Sequence, residues 1–186
     1  MKRILLLTPC LVLLTGSLWF EALFAPKSEL WPRWEKHDPQ STATIDHAAW
    51  DSILKSYVRP GPDGVNRFAY SRVSAADMKN LDAYIDRLAA LPISTFNRQE
   101  QFAYWINLYN ALTIQVVATH YPVGSIREID LKDGSSSDGP WEPKILEIEG
   151  EKISLNDIEH RILRPIWQDP RIHYAVNCAS IGCPNL

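Results

Sequence analysis

Residues 97–122, NRQEQFAYWINLYNALTIQVVATHYP, are the stretch on which the fold depends. Asn97 suits the cap of a helix, Glu100 stands at the capping-box position, and Pro122 ends the pattern. Apolar residues occur almost all round the predicted helix, which is typical of a helix that is buried on every side. We therefore predict a long central helix against which the rest of the domain packs.

Two asparagines lie on one stripe of this predicted helix. Asn107 and Asn110 share the stripe with aliphatic side chains, so both amides face a packed neighbour and need hydrogen-bond partners. One interpretation is that they bind loop backbone and fix the core. The other is that one of them lines a binding site, and the sequence leaves both interpretations open.

Amphipathic patterns predict the elements around the central helix. Residues 45–58 and 74–91 carry apolar positions at three- and four-residue spacing, and Ser74 suits the cap of the second helix. A short strand is predicted within residues 66–73, and residues 144–155 have the pattern of a β-hairpin. The predicted fold class is α+β, with a helix-rich core, a long buried central helix and a small β-hairpin.

The N-terminus has the composition of a targeting segment. Lys2 and Arg3 precede the uncharged run ILLLTPCLVLLTGSLWF, so residues 1–25 are predicted to be a signal peptide or an N-terminal membrane anchor. The domain would then be exported across the inner membrane and be periplasmic, membrane-anchored or secreted. Residues 26–44 are predicted to be a linker, in which Trp31 and Trp34 suit contact with a membrane interface.

The charge of the chain argues against a nucleic-acid ligand. The formal net charge is −3, and no run rich in lysine and arginine is interleaved with aromatic residues. The sequence lacks a phosphate-binding loop and the common hydrolase and calcium-binding motifs, so no cofactor is predicted. The membrane, reached through the N-terminal segment, is the partner that the sequence indicates.

A further helix is predicted at residues 154–165, SLNDIEHRILRP, which begins with a capping-box pattern. Glu159 falls inside its apolar arc. A carboxylate in that position either pairs with a cation, such as Arg127 or Arg171, or has its pKa raised by desolvation. His160 stands at the edge of the same arc and is a candidate for acid–base chemistry or for a boundary position.

The last stretch is RIHYAVNCASIGCPNL, residues 171–186. Residues 172–178 alternate as a strand does and are predicted to be one, although Asp169 and Pro170 would also suit the start of a helix. Cys178 and Cys183 are the two cysteines of the part that is predicted to be exported. An oxidising compartment would let them form a disulfide.

Three motifs together, FAYWINLYNALT, SLNDIEHRILRP and HYAVNCASIGCP, resemble the domain of unknown function 547 family in its bacterial exported branch. The resemblance extends over residues 45–186, and members typically continue beyond the CP motif, so we expect the domain to be C-terminally incomplete. It implies no established reaction. The shared features map onto Trp105, Asn107, Tyr109, Asn110, Ile158, Glu159, His160, Asn177, Cys178, Cys183 and Pro184.

Two classes of function remain after the sequence analysis, and whether the chain is an enzyme stays open. The first is a binding or assembly module with structural cysteines, for which the candidate binding residues are Asn107, Asn110, Asn177 and Cys183. The second is a cysteine-dependent hydrolase or acyl transferase. In it Cys178 is the nucleophile, His160 or His173 is the base, Glu159 or Asn107 orients the base, and Asn177 is a candidate donor to the oxyanion. A metal site is weakly indicated by one cysteine pair and is not predicted.

Overall fold

The computed structural model describes residues 28–131, 139–180 and 183, so the predicted signal or anchor at residues 1–25 lies outside the described part. The described helices are α1 (Ala48–Tyr57), α2 (Ala75–Ala89), α3 (Arg98–His120), a π-helix (Asp157–Leu163) that continues into α4 (Arg164–Trp167), and α5 (Ile172–Ala175). Two antiparallel hairpins pair β1 (Val58–Pro60) with β2 (Asn66–Phe68) and β3 (Leu146–Ile148) with β4 (Glu151–Ile153). The predicted α+β, helix-rich class is confirmed.

Helix α3 forms the centre of the core, as its composition predicts. Tyr104, Leu108 and Ala111 have no exposed surface, and buried residues occur on every side of the helix. The Asn97 side chain caps it by accepting hydrogen bonds from the backbone N–H groups of Gln99 and Glu100, at 3.0 Å each. Glu100 does not complete the capping box, because its carboxylate accepts the backbone N–H of Ile45 instead, at 3.1 Å.

Helices α1 and α2 pack together on one side of α3, and their aromatic residues join the same core. Ser74 caps α2 by accepting the N–H of Asp77 at 3.0 Å, as predicted. The rings of Trp50 and Tyr84 stack at 6.2 Å between the two helices. Hairpin β1–β2 follows α1 directly, and the strand predicted within residues 66–73 ends at Phe68, where the chain enters a 3₁₀ turn.

Hairpin β3–β4 has the geometry that its sequence predicts. Both turn residues take positive φ angles, 48° at Glu149 and 82° at Gly150, as a two-residue type I′ turn requires. The Glu149 side chain then fixes the turn to the domain. It accepts the backbone N–H of Ser94 at 2.9 Å and pairs with Arg33 at 2.5 Å.

Residues 28–38, which the sequence analysis assigns to a linker, pack against the domain and are called the entry segment below. Trp34 is 2% exposed and meets Trp105 edge-on at 5.0 Å. The carbonyl of Lys36 accepts a hydrogen bond from the buried Gln101 side chain at 2.9 Å. The burial of Trp34 leaves it no surface for a membrane interface.

The π-helix results from a proline inside a helical stretch. In an α-helix the carbonyl of Arg161 would accept the N–H of residue 165, and in a π-helix the carbonyl of His160 would do so. Residue 165 is proline and has no N–H, so neither carbonyl has a donor there. The entry segment supplies both donors, because the N–H of Glu29 bonds the His160 carbonyl at 3.1 Å and that of Trp31 bonds the Arg161 carbonyl at 3.0 Å.

Replacing this proline tests the origin of the π-helix. Pro165→Ala restores an N–H that competes for the Arg161 carbonyl, so we expect the turn to tighten toward an α-helix. The amides of Glu29 and Trp31 should then exchange with solvent deuterium at least several-fold faster, as measured by NMR. Pro170→Ala, at an exposed site near α5, is the control. Unchanged protection in Pro165→Ala would show that the proline is not the cause.

Candidate functional site

The π-helix brings Glu159 and Arg164 together. Residues five apart in an α-helix lie about 140° apart around the axis. In a π-helix the i to i+5 hydrogen bond brings such residues to nearly the same side of the helix. The backbone N–H of Arg164 bonds the Glu159 carbonyl in this way. Its guanidinium also donates twice to one Glu159 oxygen, from Nε at 3.1 Å and from Nη2 at 2.5 Å. The partner of Glu159 is therefore Arg164, not Arg127 or Arg171.

Tyr109 of α3 completes the environment of this carboxylate. It is 1% exposed. Burial raises the pKa of Tyr109, and the neighbouring Glu159 carboxylate, to which the hydroxyl hydrogen-bonds, raises it further. Glu159 keeps only 13% of its side-chain surface exposed, so this pairing meets the requirement that a buried charge be compensated. Sequence analysis noted Tyr109 within a motif but assigned it no contact.

The start of the π-helix carries a second ionic group. Asp157 and Ser154 form the predicted capping box, because each accepts the backbone N–H of the other, at 2.8 and 3.1 Å. The Asp157 carboxylate also pairs with Lys144 and with Arg161. Burial opposes ionisation of Asp157, but its bonds to Lys144, Ser154 and Arg161 lower its pKa overall.

His160 lies in the same helix with its ring mostly buried. Its side chain is 15% exposed and its Nε2 lies 3.9 Å from Glu159 Oε2. Among the described residues, its Nδ1 has no hydrogen-bond partner. Burial lowers the pKa of His160, and the positive charge of Arg164 lowers it further, against the opposing effect of Glu159 and Glu142. The ring is therefore predominantly neutral at neutral pH.

The predicted strand at residues 172–178 is wrong, because this segment begins with helix α5. Asp169 starts the turn by accepting the N–H of Arg171 at 2.9 Å. The two positions that need burial are Ile172 and Val176, at 1% and 6% exposed, and they lie four apart, on one face of a helical turn. Tyr174, which a strand would have buried with them, is 70% exposed.

Asn110 fixes the chain that leaves α5. Its amide nitrogen donates to the Ala175 carbonyl at 2.9 Å, and its oxygen accepts the N–H of Asn177 at 2.8 Å. The Asn177 side chain in turn accepts the N–H of Ala179 at 2.8 Å. Asn110 thus makes the backbone contacts that the first interpretation of the asparagine stripe requires. Asn107 is half-buried, and its side-chain amide makes no hydrogen bond within the described part of the chain.

The two cysteines beyond Asn177 are joined. Cys178 and Cys183 form a disulfide with their Cα atoms 6.4 Å apart, and the Cys178 N–H points to the Cys183 sulfur at 3.3 Å. Within the described residues, no hydrogen bond or ion pair links Cys178 to His160 or His173. The exposed His173 ring packs edge-on against Tyr174 at 5.5 Å. The structure therefore gathers Tyr109, Glu159, His160 and Arg164 in one place and holds the cysteines through Asn110 and Asn177.

The described part of the chain contains no group of three or more histidine, cysteine, aspartate or glutamate side chains arranged to hold a metal ion. No helix within it is both long enough and apolar enough to cross a bilayer. A groove of about 450 Å³ lies between α1 and α2, with Asp77 and Arg87 among its lining residues.

Comparison with known proteins gives one match. The model of a family described as a protein of unknown function, DUF547, matches residues 93–186, from the turn before α3 onward. No curated protein matches the chain, and no solved structure matches it. The matched region includes all the motifs from which the sequence analysis drew its resemblance.

Removing the Glu159 carboxylate tests whether the pair with Arg164 is structural. Glu159→Ala leaves a guanidinium and the Tyr109 hydroxyl without their partner, and we expect a loss of about 2 kcal/mol in unfolding free energy by urea denaturation. This is below the 3–5 kcal/mol typical of a fully buried pair, because Arg164 is about one-third exposed. Asp51→Ala, which breaks the exposed pair with Lys55, is the control and should cost under about 0.5 kcal/mol. Equal losses of unfolding free energy in Glu159→Ala and Asp51→Ala would contradict a structural role for the Glu159–Arg164 pair.

Stability should fall as the pH is lowered through the histidine range. Burial is the largest cause of the lowered pKa at both His47 and His160, so the unfolded chain binds protons first as the pH drops below 6.5. The free energy of unfolding is therefore highest above pH 6.5 and decreases as the pH falls below it. We expect the urea midpoint to decrease between about pH 7.5 and 5.5.

Three variants test which histidines cause this pH dependence of stability. His47→Gln and His160→Gln should each reduce the dependence of the urea midpoint on pH, since each removes a partly or mostly buried ring that resists protonation. His173→Gln is the control, because that ring is exposed on α5. If only His173→Gln altered the dependence, the assignment to the buried rings would be refuted.

Proposed function

The chain belongs to the DUF547 family of proteins of unknown function, and we propose that it is an exported, membrane-tethered module for binding or assembly, not a thiol enzyme. The observation that carries the proposal is the disulfide between Cys178 and Cys183. A cysteine nucleophile must be available as a thiolate, and a cysteine in a disulfide is not. Structural disulfides are typical of exported proteins, which agrees with the positive flank and apolar run of the N-terminus.

The candidate site residues have structural roles that suit a binding module. Glu159 is neutralised by Arg164 and bonded by Tyr109, so it already has partners in the absence of a substrate. Asn110 and Asn177 hydrogen-bond backbone groups. These contacts and the disulfide hold the segment that carries Tyr174 in one conformation.

Tyr174 is the feature of this segment that favours a protein partner. Its side chain is 70% exposed, although it follows the buried Ile172 in a short helix. Exposed tyrosines on rigid supports are frequent anchors of protein interfaces, because they bury a large ring at a low cost in conformational entropy. We propose that the edge formed by α5 and the disulfide segment contacts the partner, with Tyr174 as its anchor.

Alkylation separates this proposal from the alternative, a cysteine-dependent hydrolase or acyl transferase with Cys178 as nucleophile. Protein purified without reductant is treated with iodoacetamide near neutral pH, and labelled peptides are identified by mass spectrometry. We expect Cys178 and Cys183 to stay unlabelled until a reductant is added, and then to react together, because both sulfurs are held in one bond.

A cysteine enzyme would give a different labelling pattern. Rapid labelling of Cys178 in preference to Cys183 before reduction, abolished by His160→Ala or His173→Ala, would show a thiolate activated by an imidazole. It would place the protein among the cysteine enzymes and refute the proposed module.

A further inference from the structure

Tryptophans and arginines cluster around the entry segment, and we call the surface that they provide the entry face. Its members are Leu30, Trp31, Arg33, Arg98, Arg161 and Trp167. Arg161 lies over the Trp31 ring at 4.6 Å, and Arg98 lies over the Trp167 ring at 5.3 Å. Arg98 connects the two pairs, because its guanidinium donates to the carbonyls of Trp34 and Glu35 at 3.4 and 2.6 Å.

The entry face is held rigidly on the domain. The backbone of Glu29 and Trp31 is bonded to the two carbonyls that Pro165 leaves free, and Arg33 pairs with Glu149 of the β3–β4 turn. Leu30 lies between the two anchored residues, and its apolar side chain is 39% exposed. This surface therefore offers hydrophobic contact in a fixed orientation and is not a flexible connection.

The length of chain before the entry face limits how far this face can lie from the apolar N-terminal run. Eight residues lie between Phe20, at the end of the apolar run, and Glu29, so the nine residue steps of the fully extended chain reach about 30 Å at most. A compact domain of this size has a diameter of roughly 40 Å. A bilayer that holds the apolar run is therefore within reach of the part of the domain around residue 29.

We propose that the entry face rests on the headgroup region of a phospholipid bilayer, an inference that depends on the membrane tether proposed above. Tryptophan rings and arginine guanidiniums favour this region, because it offers an apolar surface and phosphate groups side by side. Trp31 and Trp167 supply the rings, each with a guanidinium over its face. Leu30 supplies exposed apolar surface beside them.

Charge is not the main attraction in this contact. Arg33 is already paired with Glu149, and Arg161 shares the Asp157 carboxylate with Lys144, so two of the three guanidiniums of the entry face have a carboxylate partner within the protein. Their remaining N–H groups still suit hydrogen bonds to phosphate oxygens. A bilayer of phosphatidylcholine alone, without anionic lipid, is therefore sufficient for the test.

The test measures the distance of two labels from the headgroups. The full chain carrying Cys10→Ser is reconstituted in phosphatidylcholine vesicles, and Leu30→Cys or Tyr121→Cys is labelled with a fluorophore in the absence of reductant. Tyr121 is a matched control, because it is 46% exposed and follows the far end of α3. The 23 residues of α3 rise about 33 Å from Arg98 to His120, so that end lies this far from the N-terminal end of α3. The chain with Cys10→Ser alone is the blank.

We expect lipids that carry a nitroxide on the headgroup to quench the label at residue 30 several-fold more strongly than the label at residue 121. Equal quenching, or stronger quenching at residue 121, in protein that sediments with the vesicles would overturn the entry-face inference and leave the tether intact. Protein that stays in the supernatant after vesicle sedimentation would overturn the tether, and the entry-face inference with it.

Discussion

The missing N–H of Pro165 is the constraint on which the arrangement of this domain depends. It leaves the carbonyls of His160 and Arg161 without a helical donor, and an α-helix cannot pass a proline without losing that bond and crowding the preceding turn. The chain resolves both problems with a π-helix and with two N–H groups from the entry segment. Because an unpaired buried carbonyl is unfavourable, the helix and the entry segment stabilise each other.

The same change of helical period explains the ionic core. Glu159 and Arg164 are stacked only because the intervening turn is wide, and the buried carboxylate then lies beside the Tyr109 hydroxyl of α3. One backbone irregularity thus fixes the attachment of the N-terminal chain and compensates a charge inside the domain. π-turns are frequent at functional sites, but here the hydrogen bonds and the ion pair give this turn a structural explanation.

Sequence analysis succeeded where the determining contacts are local. The Asn97 and Ser74 caps and the turn of the β3–β4 hairpin each depend on residues within three positions, and all of them occur as predicted. It failed where a pattern fits two geometries. Ile172 and Val176 suit one face of a helical turn as well as a strand, and the partner of Glu159 cannot be named until the helical period is known. The docking of the entry segment depends on acceptor carbonyls more than a hundred residues away in sequence.

Helix α3 holds two separate segments of the domain at different points along its length. The entry segment packs at its N-terminal end, where Arg98 and Gln101 bond the carbonyls of Glu35 and Lys36. Asn110 holds the disulfide segment further along, and Ala179 packs on the small core around Val116 and Val117. The two segments are therefore held by side chains at different points along α3. Under the functions proposed above, a bilayer at Trp31 and a partner at Tyr174 would contact segments that α3 fixes independently of each other.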